Sequence, residues 1–356
     1  MLDLSFFRGK RVLVTGHSGF KGSWLCRVLK NVGADVTGFS LSPPTSPALF
    51  GLAHIGESMN SVTGDVRDFE VMRACFEKSR PEIVIHLAAQ PIVREGYEKS
   101  RYTYETNVMG TVNMLECVRL APSVRSVVNV TTDKVYKNLE WEWGYRESDE
   151  LCGRDPYSNS KSCSELVTHS YKRSFFTDGR VAISTARAGN VIGGGDFAPD
   201  RIMPDCVRAA IEGAPIIVRN PYSVRPYQHV LEPIFAYLYI AAQQYEDVSL
   251  SDCYNVGPDE CDCITTGALV ELFCKEWGSV SVQNSAESDG PHEASHLKLD
   301  CSRIKKALDW RPVWTLESAV RAVVEWSRVW SAGGDVGTCM DTQIERFISD
   351  SNYIKE

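Results

Sequence analysis

Through its first half the chain alternates short apolar runs with longer segments of helical period. A strand buried on both faces has no polar side to alternate with. Continuous apolar runs separated by helices therefore predict a parallel sheet covered on both faces. The runs fall at 11–15, 35–39, 82–88, 126–131 and 181–187, and the helical segments at 21–32, 65–76, 107–120 and 158–175. After about residue 190 the pattern shortens. Gly193, Gly194 and Gly195, with Pro199, Pro204, Pro215, Pro221 and Pro226, divide it. Such punctuation suits a smaller, loop-rich region lying over a cleft. No Gly/Ser-rich spacer separates the two parts, so they are expected to share one interface. The expected architecture is α/β: a doubly wound parallel sheet in 1–190 and a smaller substrate-binding region in 191–356.

The first run ends in Thr15-Gly16-His17-Ser18-Gly19-Phe20-Lys21-Gly22, three glycines at three-residue spacing where a strand turns into a helix. Glycine permits a tight turn and, lacking Cβ, lets backbone approach a pyrophosphate that the helix N-terminus attracts. Any tight turn can use glycine. Its place in the first strand–helix unit of a parallel-sheet pattern makes this one a Rossmann-type dinucleotide site. An acid usually ends the second strand and holds the ribose. Here that place is Phe39-Ser40-Leu41, with neither an acid nor an arginine for a 2′-phosphate. Ser40 is the candidate ribose contact, and NAD is preferred to NADP without being fixed by these residues. Asp65, after Gly64, is a candidate for the adenine amino group and equally for a helix N-cap.

Asp155-Pro156-Tyr157 opens the 158–175 helix, and Tyr157 and Lys161 are four residues apart on one face. An ammonium beside a phenol favours phenolate and lowers the tyrosine pKa from about 10. Such a tyrosine takes a proton from an alcohol while hydride leaves the carbon. Alone, this spacing is mostly a surface pair. Beside the glycine turn and Thr131-Thr132-Asp133 at the end of an apolar run, chance is a poor explanation.

Composition narrows the function classes. The 356 residues are 43% hydrophobic and 24% charged, which excludes disordered and fibrous proteins. Thirty-eight Lys and Arg against 46 Asp and Glu give a formal charge of −8. That balance argues against a general binder of nucleic acid or anionic membrane. An anionic ligand must then be met by aimed arginines. The twelve cysteines have no C-x-x-C spacing and read as reduced thiols. The seven histidines share no ligand pattern with carboxylates, so no metal is expected, His292 and His296 included. The N-terminus lacks a basic stretch followed by an apolar run, and the longest apolar stretch, 234–242, is short of the ~20 residues that span a bilayer. A cytoplasmic protein is expected.

TGHSGFKG (15–22), LAAQP (87–91), TNVMGT (106–111), TTDKVY (131–136), YSNSK (157–161) and RAGNVIGGGD (187–196) resemble the extended short-chain dehydrogenase/reductase superfamily of nucleotide-sugar enzymes. TTDKVY, WGYRE (143–147), RNPYSVRPYQHVLEP (219–233) and PHEASHLKLDCS (291–302) bring the resemblance nearest to the 4,6-dehydratases that act on CDP-glucose. It implies bound NAD, held by Gly16, Gly19, Phe20, Gly22, Ser40, Asp65, Val66, Ala88, Asn107, Tyr157 and Lys161. It also implies an internal redox dehydration, in which hydride leaves sugar C4 and returns to C6 with water lost between. Tyr157 would be the base at the C4 hydroxyl, tuned by Lys161, with Thr132 on the C4 oxygen. Asp133 would be the acid at the C6 hydroxyl and Lys134 the base at C5, where the sister group acting on dTDP-glucose carries glutamate. A lysine near 10.4 must fall to about 7–8 to serve as a base, a preference of about 4 kcal/mol expected from burial and neighbouring cations. Arg225 matches the arginine that grips pyrophosphate and Asn190 a sugar-nucleotide contact; Arg201, Arg219 and His292 are weaker candidates. The resemblance further implies a homodimer or homotetramer and a place in making deoxysugars of lipopolysaccharide O-antigen. Two other readings stay open: a 4-epimerase, which uses the Tyr/Lys pair without Asp133 and Lys134, and a non-catalytic NAD-binding scaffold. No residue read on its own specifies cytosine.

Overall fold

A computed structural model describes residues 3–278, 280–284 and 295–353. Seven parallel strands form the central sheet: β1 (Arg11–Thr15), β2 (Asp35–Ser40), β3 (Asn60–Thr63), β4 (Ile83–His86), β5 (Ser126–Val130), β6 (Ala182–Ala188) and a seventh, Cys253–Val256. Their spatial order is 3-2-1-4-5-6 followed by the seventh. The order reverses between β1 and β4, and ligands of open α/β sheets bind at the carboxyl ends of strands beside such a reversal. The apolar runs became strands because helices cover both faces; β4, β5 and β6 are buried along their whole length. Two strands lacked that signal. β3 is a mostly exposed edge strand of sequence Asn-Ser-Val-Thr. The seventh comes from beyond residue 190 and pairs with β6.

On one face lie α1 (Phe20–Asn31), the helix Leu231–Glu246 and the C-terminal helix Val336–Tyr353, in a core that includes Trp24, Ile234, Tyr237 and Phe347. The other face carries Phe69–Ser79, the helical run at 100–120 and Pro156–Phe175, over Leu13, Phe39, Met72, Leu115 and Val127. A third cluster, with Ile216, Leu269, Phe273 and Val320, forms the centre of the smaller region.

Two helices start elsewhere than the sequence pattern predicts. The helix expected from 65 begins at Phe69, because the Asp68 carboxylate accepts the Val71 N–H at 3.1 Å and caps it. The helix expected from 107 begins at Ser100 and widens to a π-turn at Glu105–Met109. The Asn107 amide there accepts the Gln90 N–H at 2.9 Å and donates to Ser160 Oγ at 2.8 Å. Pro156–Phe175 starts as expected: Asp155 accepts the Ser158 N–H at 3.0 Å, and Pro156 fills the first turn. Its buried face is Ser158, Ser160, Ser162, Ser164 and Thr168. Small hydroxyl side chains let it lie close to β5, whose Asn129 donates to Ser164 at 3.0 Å and Thr168 at 2.9 Å. Among the described residues no helix is long and apolar enough to cross a membrane.

Candidate active site

The glycine turn joins β1 to α1. Gly16 has φ +75°, and a Cβ there would meet the Ala88 backbone at 2.8 Å; one on Gly22 would meet the Gly16 carbonyl at 2.2 Å. Those two positions are closed by the protein itself. Gly19 is different. It precedes α1, its Cβ would find a single atom, the Gly16 oxygen at 3.4 Å, and no side chain caps the helix. Open space above uncapped N–H groups fits a pyrophosphate, so these residues fit a dinucleotide.

Around the turn, the Ala88 N–H donates to Thr15 Oγ1 at 3.2 Å, Phe20 opens α1 and Val66 is buried against Gly110. Ser40, the candidate ribose contact, ends β2. Its hydroxyl is buried and engaged, 2.8 Å from Ser18 Oγ and 3.0 Å from His17 Nδ1. His17 also reaches Ser61 at 2.7 Å, and burial lowers its pKa to about 4. The neutral ring therefore holds β2 and β3 to the turn. Asp65 is not the helix cap; its carboxylate is bound by Arg67, whose side chain holds the acid below its usual range.

The candidate reacting groups gather where β5 meets Pro156–Phe175. Thr132 caps a short turn, Asp133–Val135, and donates to Asp133 Oδ1 at 2.9 Å. Asp133 is 2% exposed, and its Oδ2 is buried without a hydrogen-bond partner. Burial raises this carboxyl above its ordinary range, against the pull of Lys134 and Arg225. Lys134 is only half-buried, so the full burial expected of it is absent. Tyr157 also departs from expectation. Burial pushes its phenol up to about 12, and the Thr132 side chain opposes without winning. Lys161 Nζ donates to the Val130 carbonyl at 3.0 Å; burial lowers it to about 8, with Glu165 working the other way.

Lys21 was missed by the sequence reading. It sits inside the glycine motif, half-buried, and donates to the Tyr237 hydroxyl at 3.3 Å. Burial, then Arg201 and Lys161, bring it to about 7, while Asp133 and Asp196 oppose. A signal existed: a cation in the first turn opposes the helix dipole, so its reason must lie outside the helix. Glu165 was missed too, although it stands one turn beyond Lys161.

On the substrate side, Arg225 lies in the strand Val224–Pro226, 5% exposed, near enough to Asp133 to act on its charge. Arg201 is paired with Asp196 at 3.0 Å. Arg219 is paired with Asp200 at 2.8 Å and Asp205 at 3.7 Å. Asn190, half-buried, follows β6 and takes the Gln228 N–H on its carbonyl at 3.0 Å. His292 lies outside the described residues. The fold thus brings Thr132, Asp133, Lys134, Tyr157, Lys161, Lys21 and Arg225 to one place, while the charge of Arg219 is already met by acids. Among the described residues no group of three His, Cys, Asp or Glu side chains is arranged to hold a metal.

The family described as GDP-mannose 4,6 dehydratase matches residues 13–323. The CDP-glucose 4,6-dehydratase of Salmonella typhimurium is 45% identical over 355 residues, covering 98% of this chain and 99% of that protein. A dTDP-glucose 4,6-dehydratase of Escherichia coli is 27% identical over 342 residues, 89% of this chain and 92% of that one. Among solved structures, a UDP-glucose-4-epimerase from Stenotrophomonas maltophila with bound NAD superposes with a TM-score of 0.79 at 23% identity, covering 91% of this chain and 99% of that one. These likenesses in structure concern the fold.

Proposed function

The chain belongs to the GDP-mannose 4,6 dehydratase family, and from that premise we propose that it is a CDP-glucose 4,6-dehydratase, converting CDP-D-glucose to CDP-4-keto-6-deoxy-D-glucose. The observation that carries this reading is that two pairs of side chains come together at the carboxyl end of β5: Tyr157 with Lys161, and Asp133 with Lys134. A 4-epimerase uses the first pair alone. Bound NAD supplies the acceptor for the C4 hydride and the donor that returns it to C6. Tyr157 takes the C4 hydroxyl proton, and Lys161 favours the phenolate that results. Burial, with the neighbouring charges of Asp133 and Asp155, holds that phenol high, near 12, so its deprotonation depends on positive charge brought close to it. Thr132, already within reach of Tyr157, holds the C4 oxygen. The 4-ketone acidifies C5; Lys134 removes that proton while Asp133 protonates the departing C6 hydroxyl, and Lys134 gives the proton back to C5 when hydride reaches C6. A carboxyl raised by burial and unpartnered on one oxygen carries its proton to higher pH than an exposed one. The open N-terminus of α1 receives the NAD pyrophosphate, and Arg225 with Asn190 meets the nucleotide sugar.

In this reading residues 1–190 hold NAD and the catalytic groups, and residues 191–356 mainly hold the nucleotide sugar. The enzyme is cytoplasmic and serves deoxysugar synthesis for surface polysaccharide. It assembles as a homodimer or homotetramer through the helices at 100–120 and Pro156–Phe175, which expose Tyr104, Met109, Leu166 and Phe175. The test is CDP-glucose carrying deuterium at C4. The expected product is one water lighter, with the label in its methyl group. Label released to solvent overturns internal hydride return. A product of unchanged mass indicates epimerisation, and turnover of dTDP-glucose in preference moves the nucleotide.

A further inference from the structure

We propose that Glu165 is a positioning residue for the hydride-transfer pair: its carboxylate keeps Lys161 in the ammonium form and ties the strand end carrying Thr132 to the helix carrying Tyr157. This rests on the reading above, in which Tyr157 and Lys161 work together. Glu165 stands one turn beyond Lys161 on Pro156–Phe175, so both side chains share a face. It is 3% exposed and accepts three hydrogen bonds. Thr131 Oγ1 donates to Oε1 at 2.5 Å, Thr185 Oγ1 to Oε2 at 2.7 Å, and Arg187 Nη2 to Oε2 at 2.9 Å. With Arg187 it forms an ion pair buried on both sides, each side chain 3% exposed.

Lys161, by contrast, donates to a neutral carbonyl, that of Val130. This bond satisfies a proton but does not balance the charge. Burial pulls the ammonium down to about 8, and Glu165 is the charge that opposes it. Thr131 immediately precedes Thr132, so the same carboxylate also fixes the peptide from which Thr132 and Asp133 extend. The connection runs on to the other side of the site. Arg187 Nη1 donates to the Tyr136 hydroxyl at 2.8 Å, two residues past Lys134.

A purely architectural ion pair would hold strands and helix together without setting the titration of Lys161. The distinguishing measurement is the pH midpoint of the Lys161 Nζ resonance in 15N-lysine-labelled protein without substrate, assigned with Lys161→Met. Glu165→Gln is expected to lower that midpoint by about one pH unit. Thr185→Val removes one bond to the same carboxylate without changing its charge, and is expected to leave the midpoint in place. Where Glu165→Gln fails to fold with Arg187 unpaired, the double variant Glu165→Gln/Arg187→Met replaces the pair by neutral groups; a cation is lost with the anion, so the midpoint is expected to fall in the same direction by less. An unmoved midpoint in the folded variant overturns the proposal. An equal displacement in Thr185→Val also overturns it, because lost bonding and not lost charge would then be the cause. The titration is read without substrate, so it stands or falls separately from which nucleotide sugar is turned over.

Discussion

The turn at 16–22 and the turn at 193–195 are both built on three glycines, and one glycine of the first, Gly19, differs from all three of the second. At the second turn the space beside each glycine is filled by a side chain. A Cβ on Gly193 would meet Val230 at 2.7 Å, one on Gly194 would meet Trp326 at 2.1 Å, and one on Gly195 would meet Leu49 at 2.6 Å. Trp24 Nε1 donates to the Gly194 carbonyl at 2.9 Å, sealing the turn into the core. At Gly19 the space is empty apart from one backbone oxygen. Glycine spacing records that a side chain is not tolerated; packing tells whether another side chain or a ligand excludes it. Charge divides the two regions in the same way. In the first, the N-terminus of α1 is uncapped and Asp133 keeps a buried oxygen without a partner. In the second, Arg201 and Arg219 are already matched by Asp196, Asp200 and Asp205. The open helix end and the unpartnered acid both lie in the first region, at the carboxyl ends of β1 and β5.

The largest effects are expected where the open groups react. Tyr157→Phe removes the proposed base for the C4 hydroxyl, and turnover is expected to fall by about 10³-fold with no burst of reduced nicotinamide absorbance. Lys134→Met leaves C4 oxidation intact, so the burst remains while release of product falls by about 10²-fold. Rapid-mixing absorbance together with product mass separates the two variants. A Lys134→Met enzyme that dehydrates at the wild-type rate removes this lysine from the C5 step.

Next come the glycines themselves. Gly194→Ala forces a methyl into Trp326 and is expected to destabilise the fold by about 1–3 kcal/mol, read as a lower Tm with or without NAD. Gly19→Ala adds a methyl where the protein leaves room, at φ −78°, which alanine adopts freely. Its cofactor-free Tm should match the wild type, while its affinity for NAD, read by calorimetry, should fall at least about tenfold, the equivalent of 1.4 kcal/mol. Equal melting losses in both variants would erase the distinction between the two turns.

What the sequence made legible follows the same line. The buried strands could be read because an apolar run needs no partner to be recognised; β1 begins and ends where its pattern does. β3 could not, since Asn60–Thr63 is polar and becomes a strand only by pairing with β2. The Tyr157–Lys161 face is fixed by helical geometry and was legible. The direction in which Tyr157 is shifted was not, because it depends on how deeply the fold buries the phenol, and burial outweighs the neighbouring hydrogen bond. Ser40 reads as a free hydroxyl until the turn closes and brings His17 and Ser18 against it. Lys21 was visible inside a quoted motif, but its place beside Lys161, Arg201 and Asp133 is made by three separate elements.

The smallest effect lies in the second region and tests whether a filled site there is tuned for stability alone. Glu232, 1% exposed, accepts the Trp314 N–H at 2.7 Å and the Val313 N–H at 3.0 Å. Its bonds come from backbone and not from a cation, unlike those of Glu165. Burial raises it from 4.5 to about 8, with the two N–H groups opposing. The folded protein therefore holds a proton that the unfolded chain has released. The stability this contributes is complete below about 4.5 and is lost as pH rises through about 8. Asp133, also raised by burial, adds a slope of the same sign. These acids pull the Tm down across that window, against the rise from the buried histidines His17, His86 and His229, whose pKa values burial lowers to about 4, 3 and 3. Glu232→Gln keeps a carbonyl acceptor for the loop and has no proton to lose, so the downward pull should be weaker while turnover is unchanged. A slope equal to that of the wild type would mean that Glu232 is ionised in the folded protein, and that two backbone N–H groups suffice to hold a buried carboxylate.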